Sequence, residues 1–183
     1  MTQPSLFTAR GDATIWEHTH KGNAIVRALA DRHYTRQTVG APSFTRPGYN
    51  AVLICRCARS GWVWWRPKWE DGRPGTARKD GLRSIECTLF RREAGCVCGP
   101  ASQLIRQAVA MLPSCVGLHL GAAGSLDPDM PLITAVGVQA TAARRSRRSL
   151  PGVSYRNAGW SDADPLRRPP IGGKIWLTCG GVP

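Results

Sequence analysis

The alternation of hydrophobic and polar positions along the chain predicts a mixed succession of helices and strands. Apolar residues at helical spacing follow Asn23 and indicate a short first helix. Residues 51–57 and 62–65 are apolar runs joined by a tight polar connection, which is typical of a β-hairpin. The same pattern predicts a central strand at 84–90 and an amphipathic helix at 101–112 that Pro113 ends. Two more strands are predicted at 132–138 and 174–178.

This order of elements favours a mixed α/β layer fold, and 183 residues fit a single domain. Residues 1–22 show no sustained period and are interpreted as an N-terminal arm or a first strand. Residues 23–183 are then one domain, with basic loops at 66–83 and 142–150. Residues 114–131 are rich in small side chains and also predict a loop.

The charge of the chain predicts a polyanionic partner, because 25 Lys and Arg against 12 Asp and Glu leave a net charge of +13. Nearly all of this charge is Arg, whose planar guanidinium pairs with phosphate oxygens, so nucleic acid is favoured over a membrane. A GC-rich genome also enriches Arg, and charge alone does not decide. The sequence has no apolar run of about 20 residues and no secretion signal, which predicts a soluble intracellular protein.

Seven cysteines without a secretion signal are expected to be reduced thiols. Two Cys-x-Cys pairs, Cys55 with Cys57 and Cys96 with Cys98, each place both side chains on one side of an extended segment. Together they can supply four thiolates to a zinc ion. The alternative is simple burial, because the spacing is shorter than in most zinc knuckles and the first pair lies in an apolar strand. Whether a metal takes part stays open.

The predicted junction between strand and helix at 90–102 carries phosphate-binding chemistry. A helix N-terminus offers unpaired backbone N–H groups, and small residues before it let a diphosphate approach the backbone. Arg91, Arg92 and Gly95 fit a pyrophosphate cradle of this kind. The segment has neither a Walker Gly-Lys-Ser/Thr nor a G-x-G-x-x-G pattern. The alternative is that the glycines and Pro100 only turn the chain.

Arg92-x-x-Gly95 resembles the pyrophosphate loop of the GNAT acetyltransferase superfamily, which lies between a central strand and a helix. A more specific resemblance, over about residues 30–160, is to the Mom family of phage DNA-modification proteins. It rests on short motifs in order: Arg32-His33-Tyr34, the hairpin, Phe90–Glu93, Ser102–Ile105, and Pro151-Gly152 to Trp160. Where that family tends to have an Asp after the amphipathic helix, this chain reads Thr134–Gly137.

The resemblance implies a GNAT-like α+β fold, with a mixed, mostly antiparallel central sheet flanked by helices. It implies a transferase that uses acetyl-CoA or a related acyl-CoA to modify bases of phage DNA and so evade host restriction. Such a protein is encoded by a phage or prophage and acts in the host cytoplasm. Its DNA substrate is either double-stranded with a flipped base or single-stranded. The sequence does not indicate an oligomeric state.

By the same resemblance, His33, Tyr34 and Tyr155 are catalytic candidates, and Arg91, Arg92, Gly95 and Ser102 are cofactor-binding candidates. His33 and Tyr34 pair an imidazole that titrates near neutral pH with a phenol, which suits acid–base catalysis or a metal. Each has a structural alternative: a polar helix end for His33 and Tyr34, core packing for Tyr155, and an N-cap for Ser102.

Basic residues in the two loops are the nucleic-acid-binding candidates, at Arg73, Arg78, Lys79, Arg144, Arg145, Arg147 and Arg148. Trp65 or Trp69, beside the first basic loop, can stack on an extruded base. Two other functions stay open. One is an acetyltransferase with a protein, aminoacyl-tRNA or small-amine acceptor. The other is a non-catalytic nucleic-acid-binding module stabilised by cysteine-bound zinc.

Overall fold

A computed structural model describes seven segments of the chain, residues 15–33, 36, 38–67, 84–120, 130–137, 152–163 and 174–179. The elements in chain order are β1 Trp16–Thr19, α1 Ala24–Asp31, β2 Tyr49–Cys55, β3 Ser60–Arg66, β4 Ile85–Arg92, α2 Ala101–Ala110, α3 Leu112–His119, β5 Leu132–Gly137, α4 Val153–Arg156, β6 Ser161–Asp162 and β7 Lys174–Cys179.

These strands form one sheet in the order β1-β2-β3-β4-β5-β7-β6. All neighbours are antiparallel except β4 and β5, which run parallel. The predicted fold class, a mixed and mostly antiparallel sheet flanked by helices, is confirmed. Within residues 1–22, which were predicted to be an arm or a first strand, Trp16–Thr19 form β1.

Both faces of the sheet are covered. Trp62 and Trp64 of β3 belong to the larger core with α2 and α3, whereas Val63 belongs to a smaller core with Val26 and Ala30 of α1. Every residue of β3 is buried, because this strand has helices on both sides and strands on both edges. A buried central strand therefore shows a continuous apolar run rather than alternation.

The start of α1 and the position of α2 each have a local cause. Asn23 caps α1 by accepting hydrogen bonds from the backbone N–H groups of Ile25 and Val26, both at 3.0 Å. Two indoles of the sheet, those of Trp16 and Trp64, donate to backbone carbonyls of α2 at 2.9 and 3.3 Å. These buried hydrogen bonds fix α2 over the sheet and so place its first turn.

The predicted loop over 114–131 is partly wrong, because residues Leu112–His119 form α3. Pro113 does end α2, since proline has no N–H to continue the hydrogen-bond ladder. The same residue fits the first turn of a new helix, where that N–H has no partner to lose. The proline therefore separates two helices instead of a helix and a loop.

Candidate functional site

The parallel strands β4 and β5 separate within the sheet. Only three residue pairs join them, the last being Cys87 with Thr134, whose hydroxyl donates to the Cys87 carbonyl at 3.1 Å. Beyond this point β4 follows β3 and β5 follows β7. In the described part of the chain, Thr88–Arg92 and Ala135–Gly137 have no pairing with each other. A wedge therefore opens between the two strands, with its apex at Cys87 and Thr134.

His33 lies beside the part of β4 that has separated from β5. Its imidazole is half-buried and hydrogen-bonds the backbone of Phe90. Burial, followed by the positive charges of Arg91 and Lys174, lowers the pKa of His33 from 6.5 to about 4, against the opposite effect of the hydrogen bond. His33 is therefore neutral at pH 7, in the form that can accept a proton. Tyr34 lies outside the described residues.

A polar groove of about 370 Å³ opens between α1, the segment that follows it, β4 and β7. Three cations line it. Arg36 pairs with Asp31 at 2.8 Å, and Arg46 pairs with the buried Glu86 at 3.0 Å. The third, Lys174, has no ion-pair partner among the residues that the structure describes. Within the part of the chain that the structure describes, the groove thus presents one positive charge without an ion-pair partner, close to His33.

Tyr155 of α4 reaches the apex of the wedge from the side of the larger core. Its hydroxyl lies 3.4 Å from the Cys87 sulfur, and its ring contacts Trp62, Phe90 and Trp160. The residue is 8% exposed. The contacts fit core packing, and they also place the hydroxyl at the last residue pair that joins β4 to β5.

Gly152, the residue before α4, sets the approach of this helix to the sheet. Its φ of 71° lies in the left-handed region, and an added Cβ would come within 2.6 Å of the Leu177 side chain and 3.3 Å of Val136. Only glycine therefore lets α4, and with it Tyr155, pack this closely on β5 and β7.

Arg92 holds the turn between β4 and α2. Its guanidinium donates to the carbonyls of Gly99 and Cys96, at 3.0 and 2.9 Å. Gly95, with a φ of 77°, supplies the left-handed residue that the turn requires. Arg92 was predicted to bind the cofactor. In the structure its guanidinium instead orders the backbone of the loop.

Arg91 points away from that turn and shares a carboxylate with Arg32. Both donate to Glu93 Oε1 at 3.0 Å. These two hydrogen bonds, from Arg32 and then Arg91, hold the pKa of Glu93 below its usual range. The two neighbouring arginines thus face opposite sides of β4, as expected for a strand.

Among the described residues, nothing accepts a hydrogen bond from the first backbone N–H groups of α2. Pro100 occupies the N-cap position and no side chain caps the helix. Ser102, predicted to bind the cofactor, is the second helical residue, so its alternative role as N-cap is wrong. The N–H groups of Ala101 and Ser102 have no helix carbonyl four residues before them to bond, and they point toward the turn. This end of α2 suits an anion.

The four cysteines of the two predicted pairs are brought together. The Cys55 and Cys57 sulfurs are 3.3 Å apart, and the Cys57 and Cys96 sulfurs 3.5 Å. All four sulfurs, including that of Cys98, lie within 4.8 Å of one another. Cys55 and Cys96 are buried, whereas Cys57 and Cys98 are half-buried. Four thiols in this arrangement can hold a metal ion.

The environment of the cluster favours one thiolate. Burial opposes the ionisation of Cys57, but hydrogen bonds from Cys98, Cys55 and the Arg59 backbone outweigh it and lower its pKa to about 6. Burial raises the pKa of Cys55 and that of Cys98. Cys57 is therefore the thiol of the cluster that ionises most readily.

The predicted nucleic-acid contacts lie outside the described residues, and these are Arg73, Arg78, Lys79, Arg144, Arg145, Arg147 and Arg148. Of the two tryptophans predicted to stack on a base, Trp69 is also outside them, whereas Trp65 is buried and donates to the Pro47 carbonyl at 2.8 Å. No helix in the described part of the chain has the length and hydrophobicity to cross a bilayer.

Three residues that line the groove were not predicted from the sequence. Lys174 opens a predicted strand, but nothing in its neighbours marks it as functional, and Thr88 and Arg36 are ordinary polar residues in their segments. Their proximity follows from the sheet order, which no local pattern encodes. In comparisons with known proteins, no protein-family model, no curated protein and no solved structure matches this chain.

Proposed function

We propose that this protein is a GNAT-type transferase that binds an acyl-CoA-type donor in the wedge between β4 and β5 and transfers the group to a DNA base. The resemblance described above extends this proposal to phage DNA, where the modification protects the genome from host restriction. The observation that carries the proposal is the separation of β4 from β5 directly before the uncapped first turn of α2.

The donor is an extended molecule with a diphosphate, and the described residues fit it in two respects. The edge of β4 that has separated from β5, at Thr88–Arg92, offers backbone groups to an amide-containing arm, apart from the Phe90 group that His33 already bonds. The N–H groups of Ala101 and Ser102 offer donors to a diphosphate. Arg92 supports the diphosphate contact indirectly. Its guanidinium bonds the carbonyls of Cys96 and Gly99, in the turn before α2, and so keeps them away from the anion.

Two residues next to the wedge can move protons. The donor supplies an acyl group activated as a thioester. His33 is neutral at pH 7 and can take a proton from an attacking amine. An anion bound beside Arg91 and Lys174 would offset the two charges that lower the pKa of His33 and bring it closer to neutrality. The Tyr155 hydroxyl, at the apex, is the group placed to donate a proton to a leaving sulfur.

The net charge of +13 supports a nucleic acid as the acceptor. The reactive groups of a base lie inside the duplex, so the base must be flipped out or presented single-stranded. Lys174, which lines the groove, and the basic loops are the groups that would hold the strand.

Two measurements test the proposal. Calorimetric titration with acetyl-CoA should show binding at one site, and mass spectrometry of nucleosides from DNA of expressing cells should show a modified base. His33→Gln should abolish the modification while retaining most of the binding. Lys174→Ala should weaken the modification. Lys21 is an exposed lysine in the turn before α1, so Lys21→Ala is the matched control, which should change neither the binding nor the modification.

The proposal fails if the folded protein binds neither acetyl-CoA nor coenzyme A at millimolar concentration and all nucleosides keep their ordinary masses. Equal modification by His33→Gln and the unaltered protein would remove His33 from the chemistry.

The four-cysteine cluster favours a second candidate, a non-catalytic nucleic-acid-binding module stabilised by zinc. In that case the protein binds DNA or RNA with strong salt dependence, and acetyl-CoA has no effect on its thermal unfolding. The first candidate requires the opposite result for acetyl-CoA.

A further inference from the structure

The register of the sheet brings two turns together at one end of it. Ser60, the first residue of β3, pairs with Arg92, the last residue of β4, so the turn after β2 lies beside the turn before α2. Glu93 N–H donates to the Arg59 carbonyl at 2.8 Å and links the two turns directly. Each turn carries one Cys-x-Cys pair.

The sulfur positions match the ligand set of a tetrahedral metal ion. A zinc ion with four Zn–S bonds of about 2.3 Å places its sulfurs about 3.8 Å apart. The observed separations of 3.3 and 3.5 Å, with all four sulfurs within 4.8 Å, bracket that value. A disulfide needs about 2.05 Å between two sulfurs, well below the observed 3.3 and 3.5 Å.

The residue after each pair has a positive φ. Ala58 follows Cys57 with a φ of 56°, the one positive φ outside glycine among the described residues, and Gly99 follows Cys98 with a φ of 131°. Backbone hydrogen bonds from Arg59 reach the sulfurs of Cys55 and Cys57. Such bonds from amides stabilise thiolate ligands, and a strained non-glycine residue is commonly found at a functional site.

We propose that Cys55, Cys57, Cys96 and Cys98 bind one Zn²⁺ ion through four thiolates. The site goes beyond the proposed transferase function and does not depend on it. Four protein ligands leave no open position for water or substrate, so the ion is structural.

The surroundings suit such an ion. The buried Cys55 and Cys96 exclude solvent from one side, and the half-buried Cys57 and Cys98 leave an entry path on the other. Four thiolates and Zn²⁺ carry a net charge of −2. The guanidiniums of Arg59 and Arg92, which contact the carbonyls of Ala94 and Cys96 in the same turn, offset that charge.

The ion would connect segments 39 residues apart in sequence. It would hold the turn before α2 against the end of the β2–β3 hairpin. A loop of small residues would thereby keep one conformation, in which the first amides of α2 stay aligned with the wedge.

The test measures metal in the full chain, purified without a metal-affinity step and kept reduced. Plasma mass spectrometry should find one zinc per chain after exhaustive dialysis. Exchange with Co²⁺ should give the visible bands of a tetrahedral complex and the ultraviolet charge-transfer absorption of four thiolates. Neither measurement involves a nucleotide. The zinc proposal can therefore fail while the transferase proposal stands, and the transferase proposal can fail while the zinc proposal stands.

Three variants separate a ligand role from a folding defect. Cys98→Ser should lower the zinc affinity by at least about 100-fold, because loss of a residue that only hydrogen-bonds a metal ligand can already cost that much. Cys98→His should retain stoichiometric zinc, because three thiolates and an imidazole form an ordinary zinc site. Cys179→Ser, which removes a half-buried cysteine outside the cluster, should bind as the unaltered chain does.

Three results would overturn the proposal. The first is a folded, reduced chain with no zinc and no thiolate charge transfer on adding Co²⁺. The second is stoichiometric iron in place of zinc. The third is a disulfide between any two of the four cysteines in protein isolated anaerobically from cells.

Discussion

Replacing His33 by glutamine is expected to remove a pH-dependent part of the free energy of unfolding. The folded-state pKa of His33 is lowered from 6.5 to about 4, by burial first and by Arg91 and Lys174 next. As the pH falls below 6.5, the unfolded chain takes up a proton that the folded chain does not bind, so stability falls until about pH 4. One pKa unit is worth about 1.4 kcal/mol, so His33 alone costs about 2 kcal/mol at pH 5 and about 3 kcal/mol at pH 4.

Urea unfolding between pH 5 and pH 7.5 measures this effect. The free energy of unfolding of the unaltered protein should fall across this range by about 2 kcal/mol more than that of His33→Gln. His20→Gln is the matched control, because His20 is exposed on the turn before α1. Parallel pH profiles for the unaltered protein and His33→Gln would refute the burial and charge assigned to His33.

Two further predictions use matched pairs of substitutions. Gly152→Ala should destabilise the protein by about 1–3 kcal/mol more than Gly159→Ala, because both have positive φ but only Gly152 meets a side chain within 3 Å. Thermal unfolding measures the difference, and equal losses would contradict the packing of α4. Trp16→Phe should cost about 1–3 kcal/mol more than Trp62→Phe, because the Trp16 indole donates to α2 whereas the Trp62 Nε1 has no hydrogen-bond partner in the described part of the chain. Urea midpoints that are equal for these two variants would show that the bond to α2 adds nothing.

Local patterns predicted the elements that carry the site. The hairpin, β4 and α2 follow from runs and periods of 4 to about 12 residues, and the structure has them within one or two residues. The short elements α4 and β6 were missed, because four and two residues are too few to show a period. Helix α3 was missed because Pro113 was interpreted only as a stop.

The sequence indicated the cysteine cluster but left its outcome open. The four sulfurs do lie together, but Cys57, Cys96 and Cys98 are in turns rather than in strands, so the alternation of an extended segment is not what brings them together. Whether the two pairs meet depends on the antiparallel register of β2, β3 and β4, in which the two turns fall at the same end of the sheet. That register is set by long-range packing and is not visible in either pair.

The wedge could not be predicted from the sequence at all. It exists because β4 and β5 share only three residue pairs, a property of two strands far apart in the chain. The expectation that Arg92 binds a diphosphate rested on residue type and position, whereas the observed contacts give it the carbonyls of its own turn. A guanidinium next to a tight turn can satisfy the backbone as readily as a ligand, and only the turn geometry distinguishes the two.

The central claim is that the donor lies between β4 and β5 with its diphosphate at the start of α2. Hydrogen–deuterium exchange with and without coenzyme A tests it at the level of segments. Peptides covering Thr88–Arg92 and Ala101–Ser102 should exchange more slowly with coenzyme A bound, whereas β1, at the far edge of the sheet, should not change. Unchanged exchange in both segments at a coenzyme A concentration that saturates the protein would contradict it.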